Sequence, residues 1–278
     1  MTAAATQINL NNKRSGQTAA PYILYITADI PQTVRKNMAH RYFLTEVTED
    51  TATVTGSEAV HLCRVMRIKP GDSVVLCDNA GYDYAAVAEN VSEKVITFKI
   101  TEKTKNEAEP AKNLTVYMAL PKSDKLEFIV QKACELGAKR LVPFVSEFCV
   151  AQKSKKEDSK KARLEKISAE AAKQCGRSCP MEIGDTLTFK QLLQDMQKNS
   201  VNLFFYEHAD MPLSQVDFAD KNNISVIIGS EGGFCERECA LLSENGAVTI
   251  SLGRRILRCE TAAVSAVTLT MYTLGEME

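Results

Sequence analysis

The sequence predicts an α/β fold in which a small β-rich barrel precedes a parallel sheet covered by helices on both faces. Three observations carry this. From Arg41 to about Ile100 the chain runs in short, β-branched segments broken by turn residues. After residue 108 or so, compact apolar runs alternate with stretches of helical period. Three of those stretches close on a glycine, at Gly137, Gly176 and Gly246, the residue that ends helices most readily.

Taken in order, residues 1–37 are polar, rich in Thr, Ala, Asn and Gln, and without amphipathic period, so they read as a poorly ordered leader. Residues 38–108 read as the barrel, with strands in YFLTEV, TATVTG, GDSVVLCD, YAAVAEN and VITFKIT and a turn at NAGYD. One helix start, Ser57-Glu58-Ala59-Val60-His61-Leu62, interrupts them. Glu102 to Lys112 is charged, contains Pro110 and reads as a linker. Residues 109–278 then offer strands in LTVYMAL, KRLVPFVS, VNLFFY, ISVIIG and VTISLG. Helices fall in LEFIVQKACELG, ARLEKISAEAAKQCG, CERECALLSENG and the nearly all-apolar TAAVSAVTLTMYTL.

The 278 residues suffice for one large or two ordinary domains with a real core. With 34 Lys+Arg against 35 Asp+Glu, bulk positive charge as a means of coating nucleic acid is excluded. That balance conceals a basic leader, an acidic stretch over 38–110 and a neutral remainder. Nine scattered cysteines, an odd number, read as reduced thiols of a cytoplasmic protein rather than a disulfide framework. No apolar run approaches the roughly 18 residues of a membrane span, and the N-terminus lacks the pattern of an export signal. Cys175-x-x-x-Cys179 and Cys235-x-x-x-Cys239 lack zinc-ligand spacing, so no metal is expected.

In an open parallel sheet, ligands bind beyond the carboxyl ends of the strands, which singles out the loops after Tyr206, Ile228 and Leu252. The second, Gly229-Ser230-Glu231-Gly232-Gly233-Phe234, exposes backbone N–H groups around one carboxylate, though a plain strand-to-helix turn explains its glycines equally well. It is neither a dinucleotide fingerprint nor a P-loop. The third, Leu252-Gly253-Arg254-Arg255-Ile256-Leu257-Arg258-Cys259-Glu260-Thr261-Ala262, interleaves three arginines with two apolar residues. A pocket that clasps a flat apolar group while arginines reach anionic groups explains that pattern better than a surface loop does.

These two loops resemble those of the RsmE family of 16S rRNA uridine-N3 methyltransferases, in the SPOUT superfamily. His61-Leu62-x-Arg64-Val65-x-Arg67, Gly71-Asp72, Gln131-Lys132-Ala133-x-Glu135-Leu136-Gly137 and Glu170-Ala171-Ala172-x-Gln174-x-Gly176-Arg177 extend the resemblance over the chain from about Arg41. The sequence departs from the family pattern at Ser230, usually Pro, and at Phe148-Cys149, usually an Arg-Ser pair. Gly-Ser-Glu-Gly is closer to the ribose-methylating SPOUT branch, whose C-terminal Ser-Leu-Asn motif is absent here.

The resemblance implies a PUA-like barrel, a methyltransferase domain with a C-terminal deep trefoil knot, a homodimer, and S-adenosyl-L-methionine as methyl donor. The implied donor-binding residues are Gly229, Ser230, Glu231, Gly232, Leu252, Gly253, Ile256, Leu257, Arg258, Cys259, Glu260 and Thr261. The implied substrate is one uridine of 16S rRNA in the assembled small ribosomal subunit. Uracil N3 is a weakly acidic imide that must lose its proton to attack a sulfonium methyl; a nearby arginine favours the anion and a carboxylate can accept the proton. Arg258 and Glu231 are the candidates, with a capping role for Glu231 as the alternative. For RNA contact the candidates are Lys153 and Arg163, in a basic stretch that includes Lys155, Lys156, Lys160, Lys161 and Lys166 and that a solvated loop and helix face explains about as well, with Arg64, Arg67, Lys122 and Arg177 as further candidates elsewhere in the chain. The competing readings are a SPOUT enzyme acting on another RNA, at ribose 2′-O, and a non-catalytic RNA-binding assembly factor. His208, after the first of the three loops' strands, reads as an ordinary loop histidine.

Overall fold

The computed structural model describes residues 41–150 and 157–277. The leader and the basic residues Lys153, Lys155 and Lys156 lie outside the described residues. Six strands make the first sheet: β1 (Arg41–Phe43), β2 (Glu46–Val47), β3 (Thr51–Thr55), β4 (Ser73–Cys77), β5 (Tyr82–Val91) and β6 (Val95–Lys105). Their order is β1-β4-β5-β6-β3-β2, parallel only at β1–β4. The two end strands are halves of one chain segment. Leu44 N–H donates to Cys77 O (3.0 Å) and Thr45 N–H to Thr53 O (2.8 Å), so the segment leaves one edge and joins the other, closing the sheet on itself. A closed sheet has no unpaired edge to protect. Inside it, Tyr42, Val54, Leu76, Ile96 and Phe98 pack against Ala59 of α1 (Gly56–His61) and Leu62 of the π-turn that follows.

The expected linker is shorter than its composition predicts. Glu102–Lys105 continue β6, with Glu102 opposite Ala85 and Lys105 opposite Tyr82. A strand with exposed side chains needs its backbone ladder, not apolar residues, and Lys103 Nζ finds a place 4.4 Å from the Tyr82 ring centroid. Asn106 then donates from Nδ2 to Asp83 Oδ2 (2.8 Å) and to Gly176 O (2.9 Å), anchoring the strand exit to the second half of the chain.

The second sheet holds β7 (Asn113–Ala119), β8 (Arg140–Val145), β9 (Glu182–Ile183), β10 (Leu187–Thr188), β11 (Val201–Phe205), β12 (Asn223–Ile228) and β13 (Ala247–Ile250). The order is β10-β8-β7-β12-β11-β13, with β9 beside β8, and every pair is parallel. Because side chains alternate across a strand, Leu114, Val116 and Met118 of β7 face one core and Tyr117 and Ala119 the other. The first core is covered by α2 (Lys125–Glu135), α3 (Glu157–Cys175) and α6 (Cys259–Thr273), the second by α4 (Phe189–Asp195) and α5 (Glu236–Glu244). This is the predicted α/β architecture with both faces covered. Gly137, Gly176 and Gly246 all take positive φ just past their helices, at 90°, 87° and 85°.

Sequence reading passes over β9, β10 and α4. Strands of two residues carry no detectable period, but α4 does announce itself: Thr188 Oγ1 accepts from Gln191 N–H (3.3 Å) while Gln191 Oε1 accepts from Thr188 N–H (2.9 Å). That reciprocal cap follows the Ser/Thr-x-x-Glu/Gln pattern.

Candidate active site

Strands β12, β11 and β13 are neighbours and parallel, so their carboxyl ends open on one side of the sheet. The loops after them enclose a cavity of about 490 Å³. Phe205, Tyr206 and Glu207 come from the first loop, Ile228 to Phe234 from the second, and Leu252, Gly253, Arg255, Ile256, Leu257, Arg258, Cys259 and Ala262 from the third and the start of α6; Lys125 enters from α2. Of the predicted donor-binding residues, Gly229, Ser230, Glu231, Gly232, Leu252, Gly253, Ile256, Leu257, Arg258 and Cys259 therefore meet around one space. Glu260 and Thr261 are not in its walls: Glu260 turns to Lys125, and Thr261 is exposed on the first turn of α6.

The second loop must approach its surroundings as bare backbone. A Cβ on Gly229 would lie 2.9 Å from the Phe234 ring, and one on Gly232 would lie 2.7 Å from Phe148 Cβ and 2.9 Å from Phe148 O. Phe148 thus buttresses the loop with its backbone, while its side chain is 48% exposed. Ser230 Oγ is buried without a hydrogen-bond partner among the described residues.

Lys125 ties three elements together. Its Nζ lies 2.8 Å from Glu231 Oε1, 3.1 Å from Glu260 Oε2 and 3.9 Å from Cys259 Sγ. Both Glu231 oxygens also accept from Lys122 N–H, each at 3.2 Å. Partial burial alone would raise the Glu231 carboxyl, but the bonds from Lys125 and from backbone N–H groups prevail and hold it below the usual carboxylate range. Hydrogen bonding to Glu231, and then to Glu260, raises the Lys125 ammonium. Burial pushes the Cys259 thiol up to about 12. Glu231 is therefore held as an acceptor at the pocket wall, its oxygens occupied by donors from Lys125 and Lys122. Arg255 and Arg258 form no ion pair with any described residue and border the cavity as uncompensated cations. Nothing in the sequence pattern signals Lys125, since a lysine at a helix start is ordinarily a solvated surface group.

Among the RNA candidates, Arg177 is buried. Its side chain is 4% exposed; Nη1 donates to Cys134 O (3.0 Å) and Ala138 O (2.7 Å), the last carbonyls of α2 and the turn after it, and Nη2 pairs with Glu109 Oε2 (3.0 Å). It is a buried helix cap. Arg64 is exposed and paired with Glu93, and Arg163 is exposed and paired with Glu127. Arg67 and Lys122 are exposed, and Lys153 lies outside the described residues. His208 is exposed and stands edge-on to Tyr206, 5.3 Å between ring centroids. All nine cysteines are free, and among the described residues no three His, Cys, Asp or Glu side chains are grouped as metal ligands. No described helix is long and apolar enough to cross a membrane.

With this geometry in hand, comparison with known proteins is decisive. Residues 107–271 match the RNA methyltransferase domain family and residues 54–101 the RNA methyltransferase PUA domain family. Over 246 residues the chain is 33% identical to ribosomal RNA small subunit methyltransferase E of Bacillus subtilis strain 168, an alignment covering 84% of this chain and 96% of that protein. The chain belongs to this methyltransferase family. It is also 30% identical to the enzyme of the same name from Mesomycoplasma hyopneumoniae strain 232, over 82% of this chain and 97% of that one. The crystal structure of ribosomal RNA small subunit methyltransferase E from Neisseria gonorrhoeae, bound to S-adenosyl methionine, aligns with a TM-score of 0.76 at 26% identity, covering 85% of this chain and 98% of that chain. The methyltransferase loops are those that enclose the cavity, and the family's PUA domain falls on the closed sheet.

Proposed function

We propose that this protein transfers a methyl group from S-adenosyl-L-methionine to N3 of one uridine in 16S rRNA, acting on the assembled small ribosomal subunit in the cytoplasm. The observation that carries the reading is the cavity at the ends of β11, β12 and β13. It joins a loop that presents bare backbone at Gly229 and Gly232, apolar walls at Ile228, Leu252 and Leu257, and two arginines unpaired among the described residues. Its volume lies within the range of small-molecule sites.

The donor fits these residues. Backbone groups beside Gly229 and Gly232 and the side chains of Leu252, Ile256 and Leu257 would hold its flat and apolar parts, and the Ser230 hydroxyl, without a partner among the described residues, sits in the same wall. When bound, the donor supplies an electrophilic methyl on a sulfonium. Arg258, without an anionic partner among the described residues, lies where a positive charge favours the uracil anion over the neutral imide. The clamp of Lys125 on Glu231 and Glu260 holds the second loop against the start of α6, fixing the pocket before substrate arrives. We read the segment Leu252–Thr261 as the part of the chain that passes through the knot of this superfamily. Leu269 and Tyr272, 45% and 61% exposed on the outer side of α6, fit the surface of a homodimer.

Mass spectrometry of nucleosides from small-subunit rRNA tests the assignment. A deletion strain should lack 3-methyluridine and regain it on complementation. Persistence of 3-methyluridine, or loss of a ribose-methylated nucleoside in its place, refutes the assignment.

A further inference from the structure

Uracil N3 cannot attack while it carries hydrogen, and the occupied oxygens of Glu231 leave the destination of that proton open. The ionisable side chains around the cavity can be taken one at a time. Arg255 and Arg258 are cations without a lone pair to offer. Lys125 is held as an ammonium by two carboxylates, and Glu231 is the carboxylate it holds. Tyr206 and Cys259 keep their protons, since burial raises both. There remains Glu207, which follows β11 into the pocket wall. It accepts no hydrogen bond and makes no ion pair with any described residue. Glu207 is exposed at the mouth of the cavity, and its Oε1 stands 3.4 Å from where a Cβ on Gly233 would be, so the carboxylate rests against the glycine loop while open to an incoming base.

We propose that Glu207 is the proton acceptor of the methyl transfer. The inference rests on the N3 reading above and deepens it. The N3–H bond breaks with its electron pair left on nitrogen, and the proton passes to a Glu207 carboxylate oxygen. N3 uses that pair to bond the methyl carbon as the carbon–sulfur bond breaks, its electrons remaining on sulfur as the neutral thioether. No further reactant is needed. Glu207 shares the cavity wall with Arg255 and Arg258 of the third loop, Lys125 of α2, Glu231 of the second loop and Tyr206 beside it, and it interacts electrostatically with Tyr206 and with Cys239 of α5.

The test uses the full chain, methyl-deficient small ribosomal subunits and saturating S-adenosylmethionine in single-turnover experiments. Glu207→Gln should slow methyl transfer about 100- to 10,000-fold, the usual contribution of a positioned base. Donor affinity by calorimetry should stay within about twofold. Its log rate should climb with pH at a slope near one, as solvent base replaces the lost carboxylate, whereas the wild-type rate stays flat over the same range. Formate should partly rescue Glu207→Ala. A merely structural role predicts a parallel loss of donor binding with no change in pH profile and no rescue. Either that result or a Glu207→Gln rate within about twofold of wild type overturns the proposal. The two readings fail separately: the methylated nucleoside made by wild-type protein tests the N3 assignment, and the rate ratio of the variants tests Glu207.

Discussion

Replacing Arg177 by Met separates a structural cation from an RNA-binding one. The guanidinium satisfies two backbone carbonyls, Cys134 O and Ala138 O, and compensates Glu109, whose other oxygen accepts from Cys179 N–H at 2.8 Å. With side-chain exposures of 4% and 17%, the pair is little screened by water. Removing one partner of such a pair leaves a buried charge and costs about 3–5 kcal/mol. Met fills much of the aliphatic volume, so the loss reflects polar groups rather than a cavity. At about 2–4 °C per kcal/mol for chains of this general size, Arg177→Met should lower Tm by about 6–20 °C. Urea unfolding and a thermal melt measure this, with RNA binding by the still-folded protein at low temperature as the second readout. Glu109→Gln combined with Arg177→Met should recover part of the loss, because the stranded charge is gone. A variant with unchanged Tm and weakened RNA binding would refute the buried-cap reading and restore the surface role that the sequence pattern assigns to Arg177.

Three further outcomes are expected. Gly232→Ala drives a methyl group into Phe148 Cβ and carbonyl, so the loop must shift; donor affinity by calorimetry should fall tenfold or more, about 1.4 kcal/mol, with little change in Tm. Lys125→Met removes the clamp on Glu231 and Glu260, and donor affinity should drop, with Lys125→Arg recovering part of it. Asp195 is raised by burial but pulled further down by bonds from Lys198, Arg140 and Tyr117, leaving its carboxyl below the ordinary range. Its stabilising contribution is therefore complete above the unfolded value of about 4 and is lost as pH falls through the lower folded value. Urea unfolding from pH 7 down to 3 should show this decline, and Asp195→Asn should be less stable at neutral pH with a flatter acid limb.

Much of the architecture was legible in the residues because local and global signals agree. The left-handed glycines that end α2, α3 and α5 are visible as glycines, and the parallel-sheet rule singles out the ends of β11, β12 and β13, where the cavity lies, from the order of the elements alone. What escaped depends on partners remote in sequence. Arg177 looks like a surface cation because Glu109 and the carbonyls it caps lie in other elements. Glu231 looks like a free carboxylate because the helix carrying Lys125 precedes it by a hundred residues or so. Glu102–Lys105 look like a linker because their strand is specified by the backbone of Tyr82–Ala85 opposite, not by their own side chains.

The strand order of the second sheet also constrains when the protein becomes competent. β12 lies between β7 and β11, and α6 packs on β7 and β12 while providing Cys259 and Ala262 to the pocket wall. No partial chain that stops short of α6 holds a complete wall, so a nascent or partly folded molecule has nothing with which to grip the donor. Ligand binding then reports on completed folding, and each bound donor draws the population toward the finished state by mass action. Cells with ample donor would hold this enzyme folded more firmly than cells in which it is scarce, linking its persistence to the supply of its own methyl source.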